Sequence, residues 1–419
     1  MIRKVMHYGI ITPPVGGHIH PFGALGRELT ARGHRVTLLQ MEDIRTRAAE
    51  EGLEFAVLGQ SDHPAGSLPR SLAQLGQLSG LSALRFTISA VCGTTEMICR
   101  DAPGVVKALG IDRLLVDQTE PAGGSVAEHL GIPFVTICNA LALNREPNVP
   151  PPFTGWGYSR TVWARVRNSF GYAVYDRLMA PVLRILETWR QRWKLKPLAS
   201  SADTFSQSAQ ISQLTRGFDF PRVSLPRNFT YCGPLRSSVA FRHVPFPWER
   251  LDGRPLIYAS LGTLQHGKRE IFRCFAEACA PLDVQIVIAH NGGLDAASVA
   301  SLPGRPLAVT FAPQTEILRR AALTLTHAGL NTVLDSLAAA TPMIATPITY
   351  EQPAIAARLK ASGAGVTIPI ARLTAGKLRG KLKQVLEDGS YRACAQLAAD
   401  EVRLSGGVSR AVDVIEQSE

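Results

Sequence analysis

The sequence predicts an α/β protein made of two domains in tandem, each a doubly wound parallel sheet. Its 419 residues exceed the size of one ordinary core and suit two domains of roughly 200 residues each. In both halves, short apolar strand patterns alternate with helical patterns, which is typical of a parallel sheet covered by helices on both faces. A proline-rich stretch at 234–255 resists both helix and central strand, so it indicates an interdomain linker.

Short apolar runs give the predicted strands of each half. The first half contains predicted strands at 5–11, 35–40, 114–116 and 134–137, and a helix at 22–32 that ends at Gly33. The second half contains predicted strands at 256–260, 284–289, 308–311, 323–326 and 343–345. These patterns divide the chain into an N-terminal domain at 1–235, a linker at 236–255 and a C-terminal domain at 256–400. Residues 401–419 are predicted to form a C-terminal helix that packs back on the N-terminal domain.

Composition narrows the class of protein. Hydrophobic residues make up 46% of the chain and charged residues 19%, which describes a folded globular protein and not a disordered one. The seven cysteines are scattered, without a CxxC pair or a neighbouring histidine at metal-ligand spacing, so a cytoplasmic protein is expected. The N-terminal apolar run is too short for a signal peptide. The sequence contains no run of about 18 apolar residues, so no membrane-spanning segment is expected.

The segment 311–352 contains residues that favour the binding of a nucleotide sugar. His327 follows a predicted strand and opens the next helix, whose free N–H groups and partial positive charge suit a diphosphate. His327 can donate a hydrogen bond to a phosphate oxygen, and Gly329 lets the backbone come close. Asn331 and Thr332 add side-chain donors.

This segment resembles the signature of the UDP-glycosyltransferase superfamily, which runs W-x-P-Q, H-x-G-x-N-S, an acid, and then D/E-Q. The spacings also match, with thirteen residues from Gln314 to His327, eight more to Asp335 and sixteen more to Glu351. Phe311 stands where the family has tryptophan, and Asp335 stands where it has glutamate. The resemblance implies the GT-B fold, in which two Rossmann-like doubly wound domains face each other across a cleft.

The resemblance also implies roles for the donor-binding residues. The aromatic residue of the signature would stack on uracil, while Gln314 and Asp335 would bind the ribose hydroxyl groups. Glu351 and Gln352 would face the sugar, and an S-x-G-T turn at 260–263 would lie against the diphosphate. The complete expected set is Ser260, Gly262, Thr263, Phe311, Ala312, Gln314, His327, Gly329, Asn331, Thr332, Asp335, Glu351 and Gln352.

The loop between the first strand and the first helix contains the expected general base. Residues 14–21 resemble the family's P-x-x-G-H-x-x-P loop, in which the histidine after glycine is the base, and this places the role on His18. His20 is a near neighbour, and the sequence by itself does not choose between the two. Asp117 ends a predicted strand, where it could orient the histidine and stabilise its imidazolium. Taken alone, Asp117 would instead be a helix N-cap.

The resemblance implies an inverting transferase that moves a hexose such as glucose from a UDP-sugar to a hydroxyl group. The UDP-sugar is a co-substrate, and no cofactor or metal is expected, because no DxD-type carboxylate cluster lies near the donor segment. Two patches, 144–156 and 260–267, are similar to zeaxanthin (carotenoid) glucosyltransferases and favour a lipophilic acceptor. Macrolide, flavonoid-like and other natural-product transferases are alternatives, as are a non-catalytic nucleotide-sugar-binding partner and an epimerase.

The distribution of charge raises the question of a membrane partner. The formal net charge is +11, and residues 160–196 contain nine basic residues against two acidic ones. In the same segment apolar residues recur at helical spacing, namely Val182, Ile185, Leu186, Trp189 and Trp193. Aromatic and basic residues together suit peripheral contact with the inner face of an anionic membrane, but the stripe could equally pack on the N-terminal domain. No nucleic-acid partner is expected, because no recognition motif accompanies the charge.

Overall fold

The N-terminal half forms a parallel sheet. In the computed structural model, which describes residues 5–78, 80–237, 244–262 and 267–418, this sheet has seven strands in the order β3-β2-β1-β4-β5-β6-β7. The strands are β1 His7–Ile11, β2 Arg35–Gln40, β3 Glu54–Val57, β4 Arg113–Asp117, β5 Phe134–Cys138, β6 Ala209–Ser212 and β7 Phe229–Tyr231. The central strands β1 and β4 are buried along their whole length, as expected for a parallel sheet covered on both faces.

The C-terminal half forms a second parallel sheet, with six strands in the order β10-β9-β8-β11-β12-β13. The strands are β8 Leu256–Ser260, β9 Gln285–Ala289, β10 Leu307–Val309, β11 Ala321–Thr326, β12 Met343–Ala345 and β13 Gly365–Thr367. The predicted α/β class with two doubly wound sheets is therefore confirmed. The strand bounds predicted from sequence agree with these or differ by one or two residues at an end, where assignments are least certain.

Helices cover both faces of the two sheets. They are α1 Gly16–Ala31, α2 Arg45–Glu50, α3 Ser67–Gln77, α4 Gly80–Leu109, α5 Ala122–Leu130, α6 Val162–Arg192, α7 Arg269–Cys279, α8 Ala296–Ala300, α9 Gln314–Leu318, α10 Leu330–Ala338, α11 Gln352–Ser362, α12 Ala375–Glu387, α13 Gly389–Leu404 and α14 Gly407–Gln417. Helix α14 returns to the N-terminal half, where Val412 and Ile415 share a core with β1. Arg32, which directly follows α1, pairs with Glu416 of α14 at 2.9 Å.

Helix α1 begins six residues earlier than its sequence pattern predicts. It starts at Gly16 and not at residue 22. Its first turns contain a glycine pair and Pro21, which together suggest a loop, and this is why the sequence pattern placed the start of the helix too late. Pro21 has no N–H group, so it cannot donate the usual α-helical hydrogen bond to the carbonyl of Gly17, four residues earlier. The side-chain amide of Asn331, at the start of α10, donates to that carbonyl at 2.8 Å. This bond joins the two halves of the molecule.

Strand order reverses beside the first strand of each sheet, and ligands bind at such positions in open α/β sheets. In the N-terminal sheet β1 lies between β2 and β4, so the β1–α1 loop and the carboxyl end of β4 are neighbours. In the C-terminal sheet β8 lies between β9 and β11, so the loops that follow β8 and β11 are neighbours. Asp117, Gly262 and His327 lie in three of these segments, and His18 lies in the first turn of α1, directly after the β1–α1 loop.

The second half of α6 packs on the protein, so its apolar stripe is not a membrane-facing surface. Leu186 is buried, and Trp189 and Trp193 pack against the core that α4 and α5 form with the sheet. The indole N–H of Trp189 donates to Glu96 of α4 at 2.9 Å, and Trp193 stacks on His129 of α5. Of the two hypotheses for this stripe, contact with a membrane and packing on the N-terminal domain, the structure shows the packing.

A buried ion-pair network ties α11 of the C-terminal half to the segment that follows β6. Asp219 accepts hydrogen bonds from Arg222 at 3.0 Å and from Arg358 of α11 at 2.8 Å. The hydroxyl of Tyr231 donates to the same carboxylate at 2.9 Å. Burial tends to raise the pKa of Asp219, but the charges of Arg222 and Arg358 outweigh burial and hold this pKa below its ordinary value. The carboxylate is therefore ionised, and two buried cations share it as a counter-ion.

We expect Asp219→Ala to lower the free energy of unfolding by about 3–5 kcal/mol, because it leaves two buried guanidinium groups without their counter-ion. Urea unfolding, followed by circular dichroism, measures the change. Asp400→Ala is the matched control, because it removes the partner of the exposed Arg403 and should change stability very little. Equal effects of the two substitutions would contradict a special role for the buried network.

Candidate active site

Helix α1 places His18 on the wall of a central cavity between the two halves, next to a buried carboxylate. Nδ1 of His18 lies 2.8 Å from Oδ2 of Asp117, the last residue of β4. An ionised carboxylate can only accept hydrogen bonds, so Nδ1–H of neutral His18 is the donor. This tautomer leaves a lone pair on Nε2. Because the ring lines the central cavity, His18 can accept a proton from a ligand.

Three neighbouring residues fix the orientation of Asp117. The backbone N–H and the hydroxyl of Thr119 donate to Oδ1 at 2.9 and 2.7 Å. The hydroxyl of Thr12 and the amide of Asn139 donate to Oδ2 at 3.3 and 3.2 Å, and the same amide bonds to the carbonyl of His18. Sequence reasoning missed Asn139, although it directly follows β5 and so satisfies the strand-end rule that selected Asp117.

The pairing shifts both pKa values towards an ion pair. Burial by itself lowers the pKa of His18, but the charge of Asp117 and its hydrogen bond outweigh burial and raise this pKa above its ordinary value of 6.5. Burial raises the pKa of Asp117, but His18 and the bonds from Thr119 outweigh it and lower this pKa. Asp117 is therefore ionised at neutral pH, and His18 is a stronger base than a free imidazole.

Glu120 is a second buried carboxyl group near this pair, and sequence reasoning missed it. Its Oε2 atom has no hydrogen-bond partner among the described residues. Burial and the negative charge of Asp117 raise the pKa of Glu120 to about 8. At neutral pH the group is mostly protonated, so Asp117 carries the negative charge beside His18.

His20 lines the same cavity but has a different partner. Its Nδ1 lies 3.2 Å from Oε1 of Glu51, a carboxylate that also bonds to Arg27. Asp117 thus contacts His18 and not His20, and the choice of general base between the two histidines stays a prediction.

The facing wall of the cavity belongs to the C-terminal half. The cavity has a volume of about 950 Å³. The expected donor residues that line it are Ser260, Gly262, Phe311, Ala312, Gln314, His327, Gly329, Asn331, Thr332, Asp335, Glu351 and Gln352. Thr263, the remaining one, lies outside the described residues. Phe311 is 60% exposed, so a face of its ring is available for stacking.

The imidazole of His327 lies between two glycines. A Cβ atom at Gly329 would come within 2.5 Å of the ring, and one at Gly262 within 2.8 Å, so a side chain at either position would displace the histidine. Gly262 also has a φ of +65°, which disfavours any side chain. Burial lowers the pKa of His327 to about 4. The ring is therefore neutral at pH 7, and its Nδ1 has no partner among the described residues.

Gln314 and Asp335 belong to one hydrogen-bond network. The amide of Gln314 donates to Oδ2 of Asp335 at 2.7 Å, and its oxygen accepts from the hydroxyl of Tyr258 at 3.2 Å. The other oxygen of Asp335, Oδ1, accepts from Nε of Arg236 at 2.7 Å. Sequence reasoning missed Arg236, because it lies in the predicted linker and outside every motif.

Three further expected donor residues also make hydrogen bonds within the protein. One N–H of Asn331 holds α1, as described above, and so contributes to alignment of the two halves. Oε2 of Glu351 accepts the backbone N–H of Leu141 from the N-terminal half at 3.1 Å. Oε1 of Gln352 accepts two backbone N–H groups of the loop before α11, both at 2.9 Å. The amide N–H groups of Gln352 are therefore the part of this side chain that could bind a ligand.

The N-terminal side of the cavity is mainly apolar and aromatic. Its lining includes Val91, Leu143, Phe153, Tyr172, Tyr175, Met179, Val182, Leu183 and Phe205. The ion pair of Arg145 and Asp176 is a polar feature among them. Among the described residues, no three His, Cys, Asp or Glu side chains are grouped so that they could hold a metal ion. The expectation that no metal takes part stays a prediction.

Comparisons with known proteins connect this geometry to a family. The family model described as UDP-glucoronosyl and UDP-glucosyl transferase matches residues 104–399, and the glycosyltransferase family 28 N-terminal domain matches residues 15–137. The zeaxanthin glucosyltransferase of Pantoea ananas is 36% identical over 414 residues, covering 98% of this chain and 95% of that protein. The zeaxanthin glucosyltransferase of Pseudescherichia vulneris is 37% identical over 421 residues, covering 98% of each chain.

Solved structures show a similar fold. The glycotransferase of kitacinnamycin superposes with a TM-score of 0.77, covers 100% of both chains and is 22% identical in sequence. The superposition shows the same arrangement of the two domains. At this low identity it says nothing about the ligands.

We expect the pKa of His18, measured by NMR titration of its ring, to lie above 6.5 and to fall in Asp117→Asn. The substitution removes the negative charge that stabilises the imidazolium but keeps an oxygen that can accept the hydrogen bond. The His7 ring, which bonds to Thr37 and whose pKa is lowered by burial, serves as the internal control, and its pKa should be the same in both proteins. An unchanged His18 pKa in Asp117→Asn would show that Asp117 does not control its basicity.

Proposed function

The chain belongs to the UDP-glucoronosyl and UDP-glucosyl transferase family, and we propose that it moves a hexose such as glucose, with inversion, from a UDP-sugar to a hydroxyl group of a lipophilic acceptor such as zeaxanthin. Its family membership makes it a UDP-sugar-dependent glycosyltransferase. One observation carries the rest of the proposal. His18, with Asp117 behind it, faces the donor segment across a single cavity.

In the proposed mechanism, Nε2 of His18 takes the proton of the acceptor hydroxyl group as its oxygen attacks the anomeric carbon. The bond between this carbon and the diphosphate breaks, and its electron pair leaves with UDP. Asp117 stabilises the imidazolium that forms. The N-terminus of α10 and His327 stabilise the negative charge that develops on the leaving group. Attack from the face opposite UDP inverts the anomeric carbon.

The donor-binding roles are part of the same proposal. Uracil would stack on Phe311, and the ribose hydroxyl groups would donate to Asp335 and bond to Gln314. The network around Asp335 supports this role, because it holds the carboxylate in one orientation before the ribose arrives. The sugar would face Glu351 and the free amide of Gln352.

The acceptor side supports a lipophilic alcohol, because apolar and aromatic side chains dominate that part of the cavity. The two relatives that are 36% and 37% identical are named for zeaxanthin, which has this character. A more polar natural-product alcohol is the second candidate. It is favoured by the Arg145–Asp176 pair, which can bond to a carbonyl or hydroxyl group in the middle of the apolar wall.

The test of function is to incubate the protein with several UDP-sugars and a panel of carotenoid, macrolide and flavonoid alcohols, and to detect products by mass spectrometry. We expect His18→Ala to lower the transfer rate by about 10²–10⁴, with UDP affinity nearly unchanged, because the base acts only as the new bond forms. His20→Ala is the control. If His20→Ala were inactive and His18→Ala active, the assignment of the base would be wrong.

Peripheral contact with the inner face of an anionic membrane is a further part of the proposal. The first half of α6 exposes Val162, Trp163, Val166 and Phe170. Exposed arginines flank them, namely Arg160, Arg165 and Arg177. Exposed aromatic and basic side chains together suit a lipid surface, and later turns of the same helix line the acceptor side of the cavity. Within the described ranges, no helix combines the length and apolar character needed to cross a bilayer.

We expect the protein to sediment with vesicles of phosphatidylcholine and phosphatidylglycerol, and less with phosphatidylcholine alone. High salt should weaken binding only in part, because aromatic insertion survives screening. The double substitution Trp163→Ala/Phe170→Ala should remove the salt-resistant part. Leu397→Ala/Leu404→Ala, at exposed leucines of α13, is the control. Undiminished binding of the α6 variant would rule out this surface.

A further inference from the structure

We propose that Arg236 binds the diphosphate of the donor and neutralises charge on the departing UDP. This role rests on the proposed UDP-sugar donor, and it adds a residue that lies outside the donor segment 311–352. Arg236 belongs to the stretch that connects the two sheets, five residues after the end of β7. Its side chain lines the cavity and is 17% exposed.

The position of the guanidinium group is the first argument. Its Nε donates to Oδ1 of Asp335 at 2.7 Å, and its Nη2 donates to the side-chain oxygen of Asn331 at 3.0 Å. Asn331 lies in the first turn of α10, and Asp335 lies one turn further on. Arg236 therefore extends from the carboxylate proposed for ribose towards the helix N-terminus proposed for the diphosphate.

The charge balance is the second argument. The diphosphate of a bound UDP-sugar carries two negative charges, and a further charge develops as UDP leaves. His327 cannot offset them with a full charge, because burial lowers its pKa to about 4. The N-terminus of α10 supplies only about half a unit charge. A permanent cation next to these two groups would therefore contribute strongly to binding and to departure of UDP.

Arg236 is in the right place to be that cation. Three arginines line the described part of the cavity, and two of them pair with carboxylates of the N-terminal half. Arg47 bonds to Glu51, and Arg145 bonds to Asp176. Arg236 is the one that contacts the donor segment.

The bonding of the guanidinium group suits an exchange of partners. Nε is held by the Asp335 carboxylate, a strong charge-assisted bond, whereas Nη2 bonds to a neutral amide oxygen of Asn331. A phosphate oxygen is a better acceptor than an amide oxygen. Nη2 can therefore exchange Asn331 for phosphate while Nε stays on Asp335. Asp335 would then couple recognition of the ribose to recognition of the diphosphate.

The experiment compares the affinities of Arg236→Gln and the unaltered protein for UDP and for uridine, by calorimetry and ligand-observed NMR. Loss of a charge-assisted bond to phosphate should weaken UDP binding about 10- to 100-fold, and uridine binding should weaken much less, because Gln314 still holds the Asp335 carboxylate. The turnover number should also fall, because charge on the leaving group grows in the transition state. Arg236→Lys keeps the charge but loses the planar fork, so its UDP affinity should be intermediate.

Two controls make the outcome specific. Arg254→Gln removes the same charge from an exposed arginine that pairs with Asp252, and it should match the unaltered protein. Asp335→Asn should weaken UDP and uridine alike, because it acts on the ribose. If Arg236→Gln did the same, Arg236 would only hold Asp335 and the proposal would fail. Unchanged UDP affinity in Arg236→Gln would also overturn it. Failure of the unaltered protein to bind UDP would instead reject the donor itself.

Discussion

One of the bonds that align the two halves is made by a carbonyl group that lacks its usual partner in the helix. Pro21 has no N–H to offer Gly17, so a hydrogen bond is missing inside α1, and Asn331 of the other half supplies it. Gly17 directly precedes His18, and Asn331 lies two residues after Gly329. The bond therefore helps to set the distance between the proposed base and the proposed diphosphate site, although the two are more than 300 residues apart in the chain.

The electrostatics of the base follow from the same arrangement. Helix α1 brings His18 against Asp117 at 2.8 Å, where burial alone would lower the basicity of the ring. Asp117 reverses that effect because its charge is held by Thr119, Thr12 and Asn139 and cannot turn away. Protonation of Glu120 avoids a second negative charge in the same low-dielectric region. The histidine is thus both oriented and basic, the two properties that a proton acceptor in a cleft needs.

Much of this arrangement could be predicted from the sequence, because it rests on local patterns. Strand and helix periodicity predicted two sheets and nine of the thirteen strands that the structure describes, missing β3, β6, β7 and β13. The spacing within 311–352 predicted residues that line one cavity wall. Contacts between residues that are far apart in the sequence could not be predicted from local patterns. Arg236 has no motif, and the stripe around Trp189 has the same periodicity whether it meets lipid or helix α4. Asn139 was within reach, since it follows a strand next to β4, but a lone asparagine carries little signal by itself.

The contrast between the two cavity walls explains why a cleft between domains suits this chemistry. A nucleotide sugar is charged and polar, and in the proposed binding mode it would face an imidazole, a helix N-terminus and a carboxylate network on the C-terminal wall. The proposed acceptor is apolar, and it faces aromatic and aliphatic side chains on the N-terminal wall. A single sheet could hardly present both surfaces to one reacting pair, whereas two sheets can each supply one. Bonds such as those of Glu351 to Leu141 and Arg358 to Asp219 hold the walls together. They thereby keep the two surfaces facing each other across one cavity.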